Sequence, residues 1–264
     1  MPDMLLDGAR VLITGASRGL GAALAVRVAR RGGRVALVAR SEPEITKLVG
    51  EIGGDAYPAD LARTDGLDEL VGRVAADGPI DVLVNNAGVD LTGALTELSP
   101  ERIEQLIMVN LLAPMLLSRA VIPGMLQRRR GHIVNISSLS GTNTIPGVVP
   151  YSTSKAGLTH FTACLRAELK GTPITTTLAE LGPVESTMMD SLRGHEPTNR
   201  ALGRLAKLHL VVDLDMDEVA DALADAIEGD RRHLRLPHRD ALFPLLSEAP
   251  RRMTEWLLTG IDAQ

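Results

Sequence analysis

Short apolar runs along the chain alternate with longer segments in which apolar residues recur at the spacing of a helix. Three early runs, RVLITG, RVALVAR and IDVLVNNAG, are each followed by such a segment, the third from about Pro100. Three later runs, GHIVNISS, PITTTLAEL and HLRLP, continue the strand pattern. Strands that are apolar throughout and joined by helices are typical of a parallel sheet covered on both faces. The pattern therefore predicts an α/β fold.

Composition predicts one continuous globular domain over residues 1–264. The chain is 45% hydrophobic with a formal net charge of -5, which allows a sizeable core and excludes a disordered protein. Cys164 is the single cysteine and the amino terminus is acidic, so we expect neither a disulfide framework nor a secretory signal. The sequence has no uninterrupted apolar stretch of about 18 residues, the length of a membrane span. We expect a cytoplasmic protein.

The charged residues predict neither a nucleic-acid partner nor a metal site. The arginine clusters that begin at Arg30, Arg128 and Arg231 each follow a helix-like stretch, where cations suit the helix dipole. These clusters are dispersed and the net charge is negative, which disfavours binding to nucleic acid. The acids of DLDMDE at 213–218 precede a helical pattern, and the six histidines lack a paired helical spacing.

A glycine-rich segment, TGASRGLG, follows the first predicted strand and opens the first predicted helix. Gly15, Gly19 and Gly21 allow tight turns and let the backbone approach a ligand closely. The helix amino terminus presents free N–H groups and a positive dipole to an anion such as a pyrophosphate. The spacing differs from the usual dinucleotide fingerprint, and a simple helix-entry turn is the alternative. We interpret the segment as a phosphate-binding loop.

The segment YSTSK at 151–155 places a tyrosine one helical turn before a lysine. Aromatic residues make up 2% of the chain, and the only other tyrosine is Tyr57, so Tyr151 has few aromatic partners for a core. The pair has two interpretations: an exposed helix pair, or a phenol whose acidity depends on the Lys155 ammonium.

Five features in order, TGASRGLG, NNAG at 85–88, Asn110, NISS and YSTSK, together resemble the short-chain dehydrogenase/reductase family. The resemblance spans roughly residues 9–188 and includes 3-oxoacyl-carrier-protein reductase-like and carbonyl reductase members. It implies a single-domain, Rossmann-type, doubly wound parallel sheet with helices on both faces. It also implies an oxidoreductase with a nicotinamide cofactor across the carboxyl ends of the strands.

The resemblance assigns catalytic roles to Asn110, Ser138, Tyr151 and Lys155. Ser138, thirteen positions before the tyrosine and favoured over Ser137, is expected to bind the substrate oxygen, while Tyr151 exchanges the proton that accompanies hydride transfer. Lys155 is expected to hold the nicotinamide ribose and, with the cofactor charge, to lower the pKa of the phenol from about 10. Asn110 is expected to hold a water of the proton relay.

The predicted cofactor is NADP or NADPH rather than NAD. The strand RVALVAR ends in Arg40 instead of the acidic residue that binds the ribose hydroxyls of NAD, and Arg18 in the glycine loop supplies a second guanidinium for a phosphate. Asn85 is expected mainly to support the sheet. The residues expected to bind the cofactor are Gly15, Ser17, Arg18, Gly19, Leu20, Gly21, Arg40, Asp60, Leu61, Asn86, Ala87, Gly88, Tyr151, Lys155, Val184 and Ser186.

The carboxyl-terminal third departs from the family pattern. Leu181 stands where proline is common in the turn after the sixth strand, while Gly182 remains. Residues of about 188–215, with Met188, Met189, Leu192 and Leu202, are expected to form a substrate lid with an apolar lining. The segment of about 237–264 diverges from common tetrameric members. We favour its packing in the core or in a subunit interface over peripheral membrane contact.

The sequence thus predicts an NADP-dependent oxidoreductase that acts on a carbonyl or secondary alcohol of an apolar small molecule. We expect a homodimer or homotetramer. Two alternatives stay open: a 3-oxoacyl thioester reductase, and a noncatalytic NADPH-binding regulatory protein.

Overall fold

A computed structural model of the chain describes residues 6–143, 145–184, 192, 194–207 and 212–237. Within these residues, seven parallel strands form one sheet in the order β3-β2-β1-β4-β5-β6-β7. The strands are β1 Arg10–Thr14, β2 Arg34–Ala39, β3 Asp55–Pro58, β4 Val82–Asn85, β5 Gly131–Ser138, β6 Ile174–Leu181 and β7 His233–Leu236. The α/β fold and the doubly wound parallel sheet predicted from the sequence are therefore confirmed.

The helices connect successive strands, as the alternating pattern predicted. They are α1 Gly19–Arg30, α2 Glu42–Ile52, α3 Leu67–Ala76, α4 Pro100–Ile107, α5 Ala113–Arg128, α6 Val149–Glu168, α7 Glu196–Lys207 and α8 Met216–Glu228. The expected lid overlaps α7, but Met188 and Met189 lie outside the described residues, as does the carboxyl-terminal segment beyond Pro237.

The core lies on both faces of the sheet. In β1, Val11 and Ile13 pack on the face covered by α1, α2 and α8, whereas Leu12 packs on the opposite face with α3 and α5. Successive side chains of a strand point to opposite faces, so a strand covered on both sides must be apolar throughout. This accounts for the uninterrupted apolar runs of the sequence.

The strand order reverses beside β1, and this reversal fixes the position of the site. β1 pairs with β2 on one side and with β4 on the other, with Ile13 opposite both Leu37 and Val84. The chain leaves β1 and β4 toward opposite sides of the sheet, so their carboxyl ends border a crevice. The glycine loop follows β1 and the NNAG motif follows β4 into this crevice.

Residues Pro100–Arg128 form one continuous helical run across α4 and α5 that is long and apolar enough to cross a membrane by length and composition. A five-residue π-helical turn, Met108–Leu112, joins the two helices. Leu117, Val121 and Met125 of α5 are buried in the core on one face of the sheet. This run therefore packs as a core helix.

Ion pairs join α1 to α8. Arg27 Nη2 lies 2.8 Å from Asp217 Oδ1, and Arg27 Nε lies 3.0 Å from Asp221 Oδ1. Arg31, just after α1, places Nη1 2.7 Å from Glu228 Oε2. Arg31 thus lies at a helix end, as its sequence position indicated, and also pairs with acidic side chains because α8 returns over α1.

Asp221→Asn is expected to lower the free energy of unfolding by about 0.5–1 kcal/mol, since it removes a carboxylate from Arg27, whose side chain is only 15% exposed. The deficit should shrink in molar salt. Urea denaturation at low and high salt measures both effects. The matched control is Asp68→Asn, whose partner Arg119 is 70% exposed and should leave stability unchanged. Equal losses in both variants would contradict a specific role for the α1–α8 pairs.

Candidate active site

The loop between β1 and α1 forms the floor of a cavity at the carboxyl edge of the sheet. Gly15 and Gly19 have φ of 66° and 59°, a left-handed conformation that glycine adopts without strain. A Cβ on Gly15 would lie 2.7 Å from Ala87 Cα, and one on Gly21 would lie 2.4 Å from the Gly15 carbonyl oxygen. Close packing therefore requires glycine at 15 and 21.

Thr14 ties this loop to the segment after β4. Its Oγ1 accepts hydrogen bonds from the backbone N–H groups of Asn86 and Ala87, each at 3.0 Å. The Asn86 side-chain amide donates to the Thr14 carbonyl oxygen at 2.9 Å. These bonds hold the ends of β1 and β4 together at the reversal of strand order.

Asn85 is buried and faces the sheet interior rather than the cavity. Its Nδ2 donates to Asn135 Oδ1 at 2.8 Å, and Asn135 Nδ2 in turn donates to Thr162 Oγ1 of α6 at 2.9 Å. This chain of amides links β4, β5 and α6 through buried hydrogen bonds. It agrees with the expectation that Asn85 supports the sheet.

The two serines at the end of β5 have different surroundings. The Ser137 hydroxyl donates to the Lys155 carbonyl oxygen at 3.0 Å and lies 2.8 Å from Thr159 Oγ1, so it joins β5 to α6. The Ser138 hydroxyl donates to the Leu181 carbonyl oxygen at 3.3 Å and also interacts with the Tyr151 phenol. Ser138 is therefore the serine that lies beside the tyrosine.

Lys155 is buried, with Nζ donating to the Ile136 carbonyl oxygen at 2.9 Å and lying 5.8 Å from the centre of the Tyr151 ring. The one-turn spacing in α6 places both side chains on the face toward β5. Burial lowers the pKa of Lys155 to about 8, because desolvation penalises the ammonium.

Burial also raises the pKa of Tyr151, to about 12. The hydrogen bond with Ser138 acts in the opposite direction, and the negative charge of Asp90 adds to the increase. The protein's own groups therefore keep the phenol protonated at neutral pH. Desolvation is the largest of these effects.

Asn110 lies in the π-helical turn and is completely buried. Its Oδ1 accepts from the Val89 N–H at 2.8 Å, while its Nδ2 donates to the Val89 carbonyl oxygen at 2.9 Å and to Ser154 Oγ at 3.2 Å. The Asn110 side chain thus connects the loop after β4 to α6. Its contact on α6 is Ser154, the residue before Lys155. The expected contact with a water stays a prediction.

The cavity has a volume of about 1380 Å³ and runs from the glycine loop to Tyr151. Arg18 and Arg40, both exposed, form no ion pair within the described residues. Gly21 and Asn110 are not among the residues that line the cavity. Ser186 lies outside the described residues. The expected site residues that line it are Gly15, Ser17, Arg18, Gly19, Leu20, Arg40, Asp60, Leu61, Asn86, Ala87, Gly88, Ser138, Tyr151, Lys155 and Val184.

Several lining residues were not identified from the sequence. Asp90 and Asn143 bring polar groups to the cavity, whereas Ile145, Val148 and Met216 bring apolar ones. Asp90 follows NNAG by two positions, so its proximity to that motif was a usable signal. The others come from loops and from α8, and no motif marks them. Leu192 and Leu202, expected in the lid, also line the cavity.

Residues 9–197 match the family model described as short chain dehydrogenase. The chain therefore belongs to the short-chain dehydrogenase/reductase family of oxidoreductases. Among curated proteins it is 40% identical over 191 residues to the ketoacyl reductase HetN of Nostoc sp., and the match covers 70% of this chain and 66% of that relative. The matched region thus spans just under two thirds of the relative's length.

Solved structures agree with this membership. A short-chain dehydrogenase from Streptomyces avermitilis aligns with a TM-score of 0.79 and 26% identity over 97% of this chain and 98% of its own. An actinorhodin polyketide ketoreductase variant with NADPH aligns with a TM-score of 0.78 and 32% identity over 89% of this chain and 97% of its own.

Proposed function

We propose that the protein is an NADP-dependent oxidoreductase that transfers a hydride between nicotinamide and a carbonyl or secondary alcohol of an apolar substrate. The observation that supports this best is the convergence of Ser138, Tyr151 and Lys155 on a cavity that starts at a glycine loop. In this proposal Tyr151 is the proton donor and acceptor.

The residues present fit a dinucleotide with a 2′-phosphate. The glycine loop leaves backbone N–H groups free at the start of α1, and a Cβ at Gly15 would fill the space beside Ala87. Arg18 and Arg40 offer two guanidinium groups for the extra phosphate. The actinorhodin relative, whose structure holds NADPH, agrees with this choice over NAD.

Bound NADPH supplies the hydride, and the chain's own residues handle the proton and the substrate oxygen. Tyr151 is protonated at neutral pH because burial raises its pKa to about 12, so it can donate a proton to the developing alkoxide. Ser138 is placed to hydrogen-bond the same oxygen. Lys155, while protonated, stabilises the phenolate that remains.

The lid and domain assignments are also proposals. We propose that 1–264 is one domain in which residues of about 188–215 close over the substrate, since Leu192 and Leu202 line the cavity. Thr198 of α7 supports this placement: its hydroxyl donates to the Pro146 carbonyl oxygen at 2.8 Å, which fastens α7 to the loop before Tyr151.

A 3-oxoacyl thioester reductase is the second candidate, because the Nostoc relative is a ketoacyl reductase and the actinorhodin relative a polyketide ketoreductase. Both candidates use the same catalytic groups and differ in the substrate. A noncatalytic NADPH-binding protein is the candidate of a different class.

The test is NADPH oxidation across ketones, aldehydes, steroid ketones and 3-oxoacyl thioesters, with NADP reduction by secondary alcohols as the reverse assay. We expect turnover of at least one ketone, with NADPH preferred over NADH. Turnover confined to the thioesters would select the second candidate. Tight NADPH binding without turnover of any compound would select the regulatory protein.

The rate of carbonyl reduction is expected to fall as the pH rises through about 8, where Lys155 loses its proton. Below that pH both Lys155 and Tyr151 are protonated, since the pKa of Tyr151 is about 12, so the rate should be flat. A pH–rate profile measures this. Lys155→Met should be slow at every pH and lack the fall near 8; the same fall in the variant would assign it to another group.

A further inference from the structure

One acidic side chain at the Tyr151 end of the cavity has no role in the proposed chemistry. Asp90 follows the loop after β4, is half-buried, and lines the cavity together with Tyr151 and Ser138. Within the described residues it has neither a hydrogen bond nor an ion pair. Its carboxylate oxygens are therefore available to accept hydrogen bonds from a ligand in the cavity.

The two arginines that line the cavity follow other strands than Asp90 does. Arg40 follows β2, which is separated from β4 by β1 in the sheet, and Arg18 lies in the loop after β1. Lys155 Nζ donates to the Ile136 carbonyl oxygen. Beside Tyr151 an incoming substrate therefore meets the Asp90 carboxylate and the Lys155 ammonium, and Lys155 already donates one hydrogen bond within the protein.

Asp90 is held in place from both sides. The preceding residue, Val89, is bonded through its N–H and its carbonyl oxygen to the Asn110 side chain, at 2.8 and 2.9 Å. Three positions after Asp90, the Gly93 N–H donates to the Gly147 carbonyl oxygen at 2.9 Å. A carboxylate on a fastened loop loses little freedom when it binds, which favours its use in recognition.

The lining of the cavity that contains Asp90 has a polar and an apolar part. Ser140 Oγ is buried without a hydrogen-bond partner in the described part of the chain, and Ser140 lines the same cavity. Ile145, Val148 and Leu202 supply apolar surface. A substrate with an apolar body and one hydrogen-bond donor would satisfy both parts.

We propose that Asp90 is a specificity-determining residue that binds a hydroxyl or ammonium group carried near the reacting carbonyl and disfavours a carboxylate at that position. The proposal rests on the carbonyl-reducing function proposed above. It refines the expected apolar substrate to an apolar compound with one adjacent donor. The influence of the Asp90 charge on the pKa of Tyr151 supports the proximity of the two groups.

The test compares four aryl ketones that share a phenyl group and differ beside the carbonyl: α-hydroxyacetophenone, α-aminoacetophenone, propiophenone and benzoylformate. In the wild type, kcat/KM for the hydroxy ketone should exceed that for propiophenone, its near-isostere, by about tenfold. Benzoylformate should be the poorest substrate. Equal kcat/KM for the hydroxy ketone, propiophenone and benzoylformate would overturn the proposal without any variant.

Two variants separate charge from hydrogen bonding. Asp90→Asn keeps the shape of the side chain but removes its charge. It should lose the preference for the amino ketone, and its kcat/KM for benzoylformate should rise by about tenfold. Asp90→Ala should in addition lose the preference for the hydroxy ketone. Unchanged thermal unfolding midpoints and NADPH dissociation constants would show that both variants are folded. Unchanged ratios among the four ketones in both folded variants would overturn the role of Asp90.

Binding measurements distinguish a failure of the Asp90 proposal from a failure of the proposed oxidoreductase function. The four ketones are titrated calorimetrically into wild type and Asp90→Asn, each saturated with NADP. Selective binding of the hydroxy and amino ketones that Asp90→Asn abolishes supports the site even if no ketone is turned over, in which case the oxidoreductase proposal alone fails. Turnover with unselective binding, or no binding of the hydroxy and amino ketones, overturns the Asp90 site.

Discussion

Tyr151→Phe is expected to lower kcat for carbonyl reduction by about a hundred- to ten-thousand-fold, the usual contribution of a positioned general acid. Phenylalanine keeps the ring beside Lys155 but removes the proton that the alkoxide requires. The phenol carries the proton throughout the working range, because burial raises its pKa to about 12. Steady-state kinetics with the best ketone, together with NADPH titration, measures the loss and shows whether cofactor binding is kept.

Tyr57→Phe is the matched control, since Tyr57 is the only other tyrosine of the chain. Its hydroxyl donates to Asp77 Oδ2 at 2.6 Å and accepts from Arg10 Nη2 at 2.7 Å, away from the cavity. This variant should lose about 1 kcal/mol of stability and keep its kcat. A Tyr151→Phe enzyme with wild-type turnover would refute the proposed mechanism.

Arg40→Ser is expected to lower kcat/KM for NADPH by about ten- to a hundredfold and to leave kcat/KM for NADH unchanged. A charge-assisted hydrogen bond contributes about 1.5–3 kcal/mol, and Arg40 is free to form one because it has no ion pair in the described residues. NADH lacks the 2′-phosphate, so it should not sense the substitution. Initial rates with both cofactors give the ratio directly.

The control for Arg40 is Arg30→Ser, an exposed arginine at the end of α1 that does not line the cavity. It changes the net charge by the same amount and should leave both cofactor constants unchanged. An equal loss with NADPH and NADH in Arg40→Ser would indicate a structural role. No loss with either would place the phosphate contact on Arg18 or exclude NADP preference.

The fold could be predicted because its signals are local and repeated. Each buried strand is an apolar run, and each helix shows its own periodicity, so the order of elements was readable from the sequence. The sequence did not show which helices pack together when they are distant along the chain. The ion pairs of Arg27 and Arg31 with α8 depend on how the last crossover returns over α1, and no local pattern carries that information.

The site could be predicted where a motif carries it. Gly15, Ser138, Tyr151 and Lys155 were identified from spacing and resemblance, and the structure places all four on one cavity. The rise in the pKa of Tyr151 among the protein's own groups could not be predicted, because desolvation depends on packing that a sequence does not report. Asp90 was missed for a similar reason: its importance comes from its neighbours.

The contact of α8 with α1 has a consequence for synthesis of the chain. Val219, Leu223 and Ile227 of α8 complete the same core as Leu24 and Val28 of α1. A ribosome releases α1 early and α8 among the last of the described elements, so a nascent chain carries the uncovered apolar face of its first helix through most of translation. The core on this face of the sheet therefore closes only after α8 has been synthesised, and until then the exposed apolar surface of α1 favours aggregation or binding to chaperones.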